Sequence, residues 1–177
     1  FTMDDVCDGV VKKLLFRHPH VFGDGHEDSP ESVLVSWEQL KRREKGQNTV
    51  ADSMDSVARS LPSLWRAEKL QKKAAAAGFE WPDVQGALDK LEEEVAELRR
   101  AVENGGDVPD ELGDVLFAAV KVGRFCGCDP EDAVNGTCEK FIHRFRAVEE
   151  GAAVRGREVS QLSLEEMTAL WNEAKRS

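Results

Sequence analysis

The chain has 177 residues, of which 33% are charged and 41% hydrophobic, and its formal net charge is −10. This length allows one globular domain with a real core and a small addition. The acidic balance argues against a protein that coats nucleic acid, because neutralising phosphates needs an excess of Lys and Arg. No apolar run approaches the roughly 20 residues of a membrane span.

Four cysteines are present, and they do not form the framework of a small secreted protein. Cys126 and Cys128 are one residue apart, which is a poor spacing for a zinc knuckle or for a local disulfide. We therefore expect reduced cysteines in a cytoplasmic protein. The chain begins at Phe1, without an initiator methionine or a signal-peptide pattern. We expect it to be a fragment of a longer protein.

The first third of the chain predicts helices and a polar connection. Residues 3–17 place apolar side chains near one helical face. Two prolines and two glycines break the pattern over 18–30, and helical character resumes over 32–45. Residues 46–57 are polar and aperiodic, so they are the best candidate for a flexible linker.

The remaining residues predict a series of helices. A helix opened by Pro62 and closed by Gly78 precedes a longer one with Asp83 as its N-cap. The longer helix carries an apolar seam of Val84, Leu88, Leu91, Val95, Leu98 and Val102. Further helices are expected over 110–125, 130–154 and 163–175, the first of them apolar nearly all round and therefore central. No convincing strand appears, so the predicted fold class is all-α.

Two pairs of carboxylates interrupt these apolar patterns. Glu94 and Glu97 lie at the shoulder of the seam, on the side that also carries small alanines. Glu111 and Asp114 are three residues apart on the next helix, with apolar neighbours in projection. Carboxylates that converge in a partly apolar place repel one another, so protons or a cation must compensate their charge.

Oxygen donors without His or Cys favour Mg²⁺ or Mn²⁺ over Zn²⁺. A run such as "LEEEVAELRR" is more often a solvated helix face with Glu–Arg pairs, for example Glu97 with Arg100. That explanation fails for Glu111 and Asp114, because their helix is nearly all apolar. The two halves together favour a metal site.

The motifs "EEVAE" and "ELGD" resemble the E-E-x-x-E … E-x-x-D signature of the MazG-type all-α nucleoside triphosphate pyrophosphohydrolases. Further similar segments are "RHPHVFGD", "WEQLKRREK", "SLPSLWRAEKLQKKAAAAGFEWPD", "EKFIHRF" and "LEEMTALW". The resemblance covers essentially the whole chain. It implies a helical bundle of this type and Mg²⁺ ligands at Glu94, Glu97, Glu111 and Asp114.

The resemblance also implies roles for residues outside the metal ligands. Glu93 either supports the ligands or takes a proton from the attacking water. Lys41, Lys140 and Arg144 contact the triphosphate, and Trp171 packs near the nucleotide. Without the acidic motif, Lys140 and Arg144 would be interpreted as a surface basic pair, and Trp171 as a core aromatic.

Proteins of this family usually carry two such domains in tandem, each with its own acidic motif, whereas this chain has one motif. We therefore interpret residues 1–50 as the helical remnant of a preceding MazG-like domain, 51–61 as a linker and 62–177 as the catalytic helical domain. The implied partners are nucleoside triphosphates and a second copy of the chain in a homodimer, with no nucleic acid and no membrane.

The implied reaction is Mg²⁺-dependent hydrolysis of a nucleoside triphosphate to a nucleoside monophosphate and pyrophosphate, in house-cleaning or in control of the nucleotide pool. One alternative is a non-enzymatic helical assembly module with a structural cation. Another is an enzyme for a narrower set of substrates, such as one deoxynucleotide or a modified base.

Overall fold

The computed structural model describes residues 1–22 and 46–176. Within these ranges the regular structure is helical and contains no strand, which confirms the predicted all-α class. None of the helices in the described part of the chain has the length and apolarity needed to cross a membrane. The predicted helix over 32–45, and Lys41 with it, lies outside the described residues.

The chain divides into two compact units. The first comprises Phe1–Arg59 and Lys72–Glu80, and the second Ser60–Gln71 and Trp81–Ser177. The proposed division into a remnant, a linker and a catalytic domain stays a prediction.

Two helices in the described part of the first unit begin with a capping box. Helix α1 spans Met3–Arg17, as predicted, and contacts α2, Pro19–Phe22. Helix α3, Val50–Asp55, lies in the segment predicted to be a flexible linker. Thr49 and Asp52 form a capping box at the start of α3. The hydroxyl of Thr49 accepts a hydrogen bond from the backbone N–H of Asp52, and the carboxylate of Asp52 accepts one from the backbone N–H of Thr49. The linker interpretation missed this capping box because α3 has no apolar period.

The second unit is built from helices that follow one another with short connections. They are α4, Ser63–Ala76; α5, Val84–Asn104; α6, Val108–Phe125; α7, Pro130–Val154; a 3₁₀ turn, Val159–Gln161; and α8, Leu164–Ala174. Helix α4 contributes residues to both units. Helices α5 and α6 pack against each other, as do α7 and α8.

Local sequence explains where the helices of the second unit begin and end. The predicted N-cap Asp83 accepts hydrogen bonds from the backbone N–H groups of Gln85 and Gly86. Helix α5 ends at Gly105, whose φ of 73° needs a residue without a Cβ. Pro109 lies in the first turn of α6, where its missing N–H costs nothing.

A small apolar core forms where α7 meets α8. Val148 and Ala152 of α7 pack with Leu162 and Leu170. Gly151 makes this close approach possible, because a Cβ there would overlap the side chain of Leu170. The indole Nε1 of Trp65 also donates to the carboxylate of Asp129 at 2.8 and 2.9 Å, which ties α4 to the start of α7.

Helix α6 is less enclosed than its sequence predicted. Ala118 and Val120 are buried, whereas Leu112 and Leu116 are 46% and 49% exposed. Three of the seam residues on α5, Leu88, Val95 and Val102, are also exposed. The prediction of a central α6 is therefore wrong for a single copy of the chain, since apolar area on both helices is left uncovered.

Candidate functional site

Three carboxylates from α5 and α6 meet at one place. One carboxylate oxygen each from Glu94, Glu111 and Asp114 lies within 4.8 Å of the others. We call these residues the acidic trio. The predicted convergence of acidic side chains from two neighbouring helices is therefore present for three of the four expected residues.

Helix packing explains how α5 supplies its member of the trio. Ala87, Glu94 and Ala101 are seven residues apart in turn, so they form one stripe on α5. All three are buried, and Glu94 is only 7% exposed. Small residues on either side let the two helices approach closely, which brings Glu94 to the carboxylates of α6. A buried carboxylate needs a compensating charge.

Lys90 supplies part of this compensation in the structure. Its ammonium lies 2.8 Å from the carboxylate of Glu94 and 2.8 Å from that of Glu93. The hydrogen bond to Glu93, and then that to Glu94, raise the pKa of Lys90 above its usual value. The pairing of Lys90 was not predicted, although its spacing of four residues from Glu94 on a helix was a usable signal.

The members of the trio on α6 differ in exposure. Glu111 is half-buried, whereas Asp114 is exposed, contrary to the expectation of apolar surroundings. Partial burial raises the pKa of Glu111, and the negative charges of Glu97, Asp110, Asp114 and Glu94 raise it further. The carboxyl group of Glu111 therefore holds its proton more strongly than an isolated glutamic acid.

Glu97 and Glu93 lie outside the acidic trio. The carboxylate of Glu97 accepts a hydrogen bond from the guanidinium of Arg100 at 3.0 Å, the pair suggested by their spacing. Its charge still acts on Glu111. The side chain of Glu93 is 57% exposed and pairs with Lys90.

The predicted substrate-binding residues of α7 and α8 form a second group. The guanidinium carbon of Arg144 lies 5.8 Å from the ring centroid of Trp171, a cation–π arrangement. The ring of Phe141 contacts Trp171, with centroids 4.9 Å apart, and Phe145 stacks on Phe141 at 6.2 Å. Lys140 is exposed one helical turn before Arg144. Neither phenylalanine was predicted as a site residue, because their spacing matches that of an ordinary core-facing helix surface.

The two groups differ in chemistry, since one holds clustered carboxylates and the other holds cationic and aromatic side chains. Carboxylate oxygens converging from two helices suit a hard divalent cation. Lys140 and Arg144 suit an anionic tail, and the rings of Phe141 and Trp171 suit a flat apolar group. The first group therefore suits a cation, and the second suits an anionic group attached to a ring system.

Comparisons with known proteins agree with this chemistry. A family model described as the MazG nucleotide pyrophosphohydrolase domain matches residues 83–148, which include the acidic trio, Lys140 and Arg144. The chain is 40% identical over 180 residues to the nucleoside triphosphate pyrophosphohydrolase of Escherichia coli (strain K12). That match covers 99% of this chain and 68% of the relative.

Two further relatives match over the same extent of this chain. The nucleoside triphosphate pyrophosphohydrolase/pyrophosphatase MazG of Thermotoga maritima is 36% identical over 175 residues, covering 99% of this chain and 66% of the relative. The uncharacterized protein YabN of Bacillus subtilis is 45% identical over 181 residues, covering 100% and 37%. The similarity therefore extends well beyond the acidic motifs.

Proposed function

Since this chain belongs to the MazG family of nucleoside triphosphate pyrophosphohydrolases, we propose that it hydrolyses nucleoside triphosphates to nucleoside monophosphates and pyrophosphate. The bond broken is the anhydride between the α and β phosphates. The observation that carries the proposal is the acidic trio, which places carboxylates of two helices within 4.8 Å of one another. The relatives from Escherichia coli and Thermotoga maritima bear this activity in their names.

Mg²⁺ is the proposed cofactor, and Mn²⁺ fits the same oxygen ligands. Oxygens that bind one Mg²⁺ at about 2.1 Å lie at most about 4.2 Å apart. Adjacent ligands of an octahedral Mg²⁺ lie only about 3.0 Å apart, so carboxylates that lie within 4.8 Å of one another need to close by up to roughly 2 Å. The remaining repulsion in the trio gives a physical reason for a cation to bind there.

Glu97 is proposed as the fourth ligand. Its carboxylate pairs with Arg100, which is mostly exposed, so rotation of Glu97 toward the trio gives up one surface ion pair. Such pairs contribute little to stability, about 0 to 1 kcal/mol. The cost of recruiting Glu97 is therefore small. A cation held by these four carboxylates would neutralise charge on the phosphates and would make the attacking water more acidic.

The second group of residues is proposed to hold the nucleotide. Lys140 and Arg144 lie on one face of α7, one turn apart, so both can bind one triphosphate tail. Arg144 is already positioned by the ring of Trp171, which is proposed to pack near the nucleotide. Lys41 is proposed as a further phosphate contact.

Glu93 is proposed to take the proton from the attacking water. It is the first acid of the motif and is adjacent to the proposed ligand Glu94, yet its side chain remains more than half exposed. Its bond to Lys90 fixes the carboxylate beside the acidic trio. A base must be near the metal ligands without being consumed as one, and Glu93 meets that requirement.

We propose a homodimer with a cytoplasmic location. The exposed apolar side chains of α5 and α6 support dimerisation, because burying Leu88, Val95 and Leu116 against a second copy removes them from water. The four unpaired thiols support the cytoplasmic location.

The proposed reaction is tested by incubating the chain with each common ribo- and deoxyribonucleoside triphosphate and Mg²⁺, and by identifying the products. The expected products are a nucleoside monophosphate and pyrophosphate in equal amounts. Nucleoside diphosphate and phosphate would contradict the proposed bond. Absence of pyrophosphate with every substrate would favour the non-enzymatic helical module, whereas turnover of one nucleotide alone would favour the narrower enzyme.

A further inference from the structure

The turn between α6 and α7 carries two thiols on either side of one glycine. Cys126 and Cys128 are both exposed and both free. They flank Gly127, at the end of the helix that carries Glu111 and Asp114. Neither thiol has a part in the proposed hydrolysis, and small reagents in solution can reach both.

The backbone of this turn is folded in a defined way. The N–H of Gly127 donates to the carbonyl of Arg124 at 3.2 Å, and that of Cys128 to the carbonyl of Gly123 at 2.9 Å. Gly127 has a φ of 66°. These are the hydrogen bonds and the left-handed residue of a Schellman motif. The conformation of the three residues is therefore fixed by the end of α6.

The left-handed backbone conformation of Gly127 places the two cysteines at a separation that suits a disulfide. The Cα atoms on either side of such a residue are roughly 5.5 Å apart, inside the range of about 4.4–6.8 Å found for disulfides. The Sγ of Cys128 lies 3.7 Å from the carbonyl oxygen of Cys126, so this side chain turns back toward its neighbour. The spacing in the sequence argued against a local disulfide, and the folded turn removes that objection.

We propose that Cys126 and Cys128 form a redox-active dithiol, which closes to a disulfide by exchange with low-molecular-weight disulfides. The thiolate of one cysteine attacks the small disulfide, forming a mixed disulfide and releasing one small thiol. The second cysteine then attacks the protein sulfur of the mixed disulfide and releases the other. The protein loses two electrons and two protons, and the small disulfide gains them as two thiols.

The remaining cysteines provide an internal comparison. Cys7 lies in α1 and Cys138 in α7, and each is exposed without another cysteine nearby in the sequence. Each can form a mixed disulfide, but neither has a neighbour in the sequence to resolve it. A mixed disulfide is therefore expected to be displaced by a second thiol of the same chain only in this turn.

The experiment uses the full chain with Cys7→Ser and Cys138→Ser, so that only the two cysteines of the turn remain. This protein and its Cys126→Ser and Cys128→Ser derivatives are treated with oxidised glutathione, alkylated and weighed by intact mass spectrometry. The protein with both thiols is expected to lose two hydrogen atoms and to keep no glutathione. Each single-cysteine derivative is expected to retain one glutathione.

A second probe tests the pairing of the thiols without oxidation. Phenylarsine oxide condenses with two adjacent thiols and releases one water. It is expected to bind once to the protein with both thiols, to be removed by ethanedithiol, and to be lost on washing from either derivative. Persistent glutathione adducts, covalently linked dimers in place of the internal disulfide, or equal arsenical binding by all three proteins would each overturn the proposal.

Discussion

At the scale of single residues, the acidic trio brings charges of the same sign together, which opposes stability. Partial burial raises the pKa of Glu111, and four neighbouring carboxylates add to the effect. The folded protein therefore binds this proton more strongly than the unfolded chain does. Between the ordinary pKa of a glutamic acid and the raised one, stability must fall as pH rises.

Because ionisation of Glu111 lowers stability, removing its charge should raise stability, and Glu111→Gln in the presence of a chelator tests this. The variant should unfold at a higher temperature than the unchanged chain at pH 7.5, because an uncharged side chain avoids the repulsion. The difference should shrink at pH 4.5, because the raised pKa of Glu111 lets the folded protein keep more of this proton as the pH falls. Thermal unfolding followed by circular dichroism measures both.

Glu92→Gln is the matched control. Glu92 is exposed on α5, close to Glu94 in the sequence, and lies outside the acidic trio. It should shift the unfolding temperature little at either pH. A destabilised Glu111→Gln protein at pH 7.5 would show that Glu111 makes a favourable contact in the metal-free state.

At the scale of elements, the connection between α5 and α6 sets the register of the site. Gly105 ends α5 with a φ of 73°, and Gly106 then donates to the carbonyl of Ala101 at 2.8 Å. This short connection returns the chain so that Glu111 and Asp114 lie beside Glu94. The turn thus fixes which residues of the two helices face each other.

Gly105→Ala should destabilise the protein by about 1 kcal/mol, because a residue with a Cβ is strained at positive φ. A Cβ at this position has no neighbour within 4 Å, so the effect is conformational only. Urea unfolding measures the change.

A Gly→Ala substitution inside a helix should instead increase the free energy of unfolding. Gly136 lies within α7, and a Cβ there also has no neighbour within 4 Å. Gly136→Ala should therefore stabilise the protein by roughly 0.5–1 kcal/mol. Equal effects of the two substitutions would contradict the assignment of strain to Gly105.

Much of the second unit could be predicted from sequence, because strong signals determine its elements. The seam of α5, the N-cap Asp83 and the capping box at Ser163 all lie where helices begin or pack. Helix α3 was missed, because its six residues are specified by a cap without an apolar period. Hydrophobic periodicity identifies helices that bury one apolar face, and a helix as short as α3 shows no such period.

The candidate site was predicted in part. The convergence of Glu94, Glu111 and Asp114 followed from helical spacing and from the resemblance to a known family. The pairing of Lys90 with Glu94 and the exposure of Asp114 depend on side-chain rotamers and on packing between helices. One-dimensional spacing does not contain that information. The roles of Lys41 and of the nucleotide-binding residues stay predictions.

At the scale of the whole molecule, the exposed apolar side chains of α5 and α6 favour association with a second copy of the chain. Val95 is 44% exposed and Leu116 49% exposed, on the two helices that carry the acidic trio. Placing a second copy over these side chains would complete the core by a two-fold axis, as small helical bundles commonly do. The chain should therefore be a dimer in solution.

Light scattering should give twice the chain mass for the unchanged protein. Leu116→Lys should shift the mass toward a monomer, because a charge would be buried without a partner. Val154→Lys is the control, since Val154 is 89% exposed at the end of α7, and it should leave the dimer intact. A monomer with full turnover would contradict the dimer.

The proposed hydrolysis requires that the carboxylates of two helices share one divalent ion during turnover. Pyrophosphate release with Mg²⁺ should therefore be compared for the unchanged chain, Glu97→Gln, Asp114→Asn and Glu92→Gln. Losing a ligand should lower the rate roughly a hundredfold or more, because a bound metal supplies several kcal/mol of transition-state stabilisation. We predict this loss for Glu97→Gln and Asp114→Asn, with helical content unchanged and Glu92→Gln as active as the parent. Full turnover in both Glu97→Gln and Asp114→Asn would show that these carboxylates do not hold the catalytic ion.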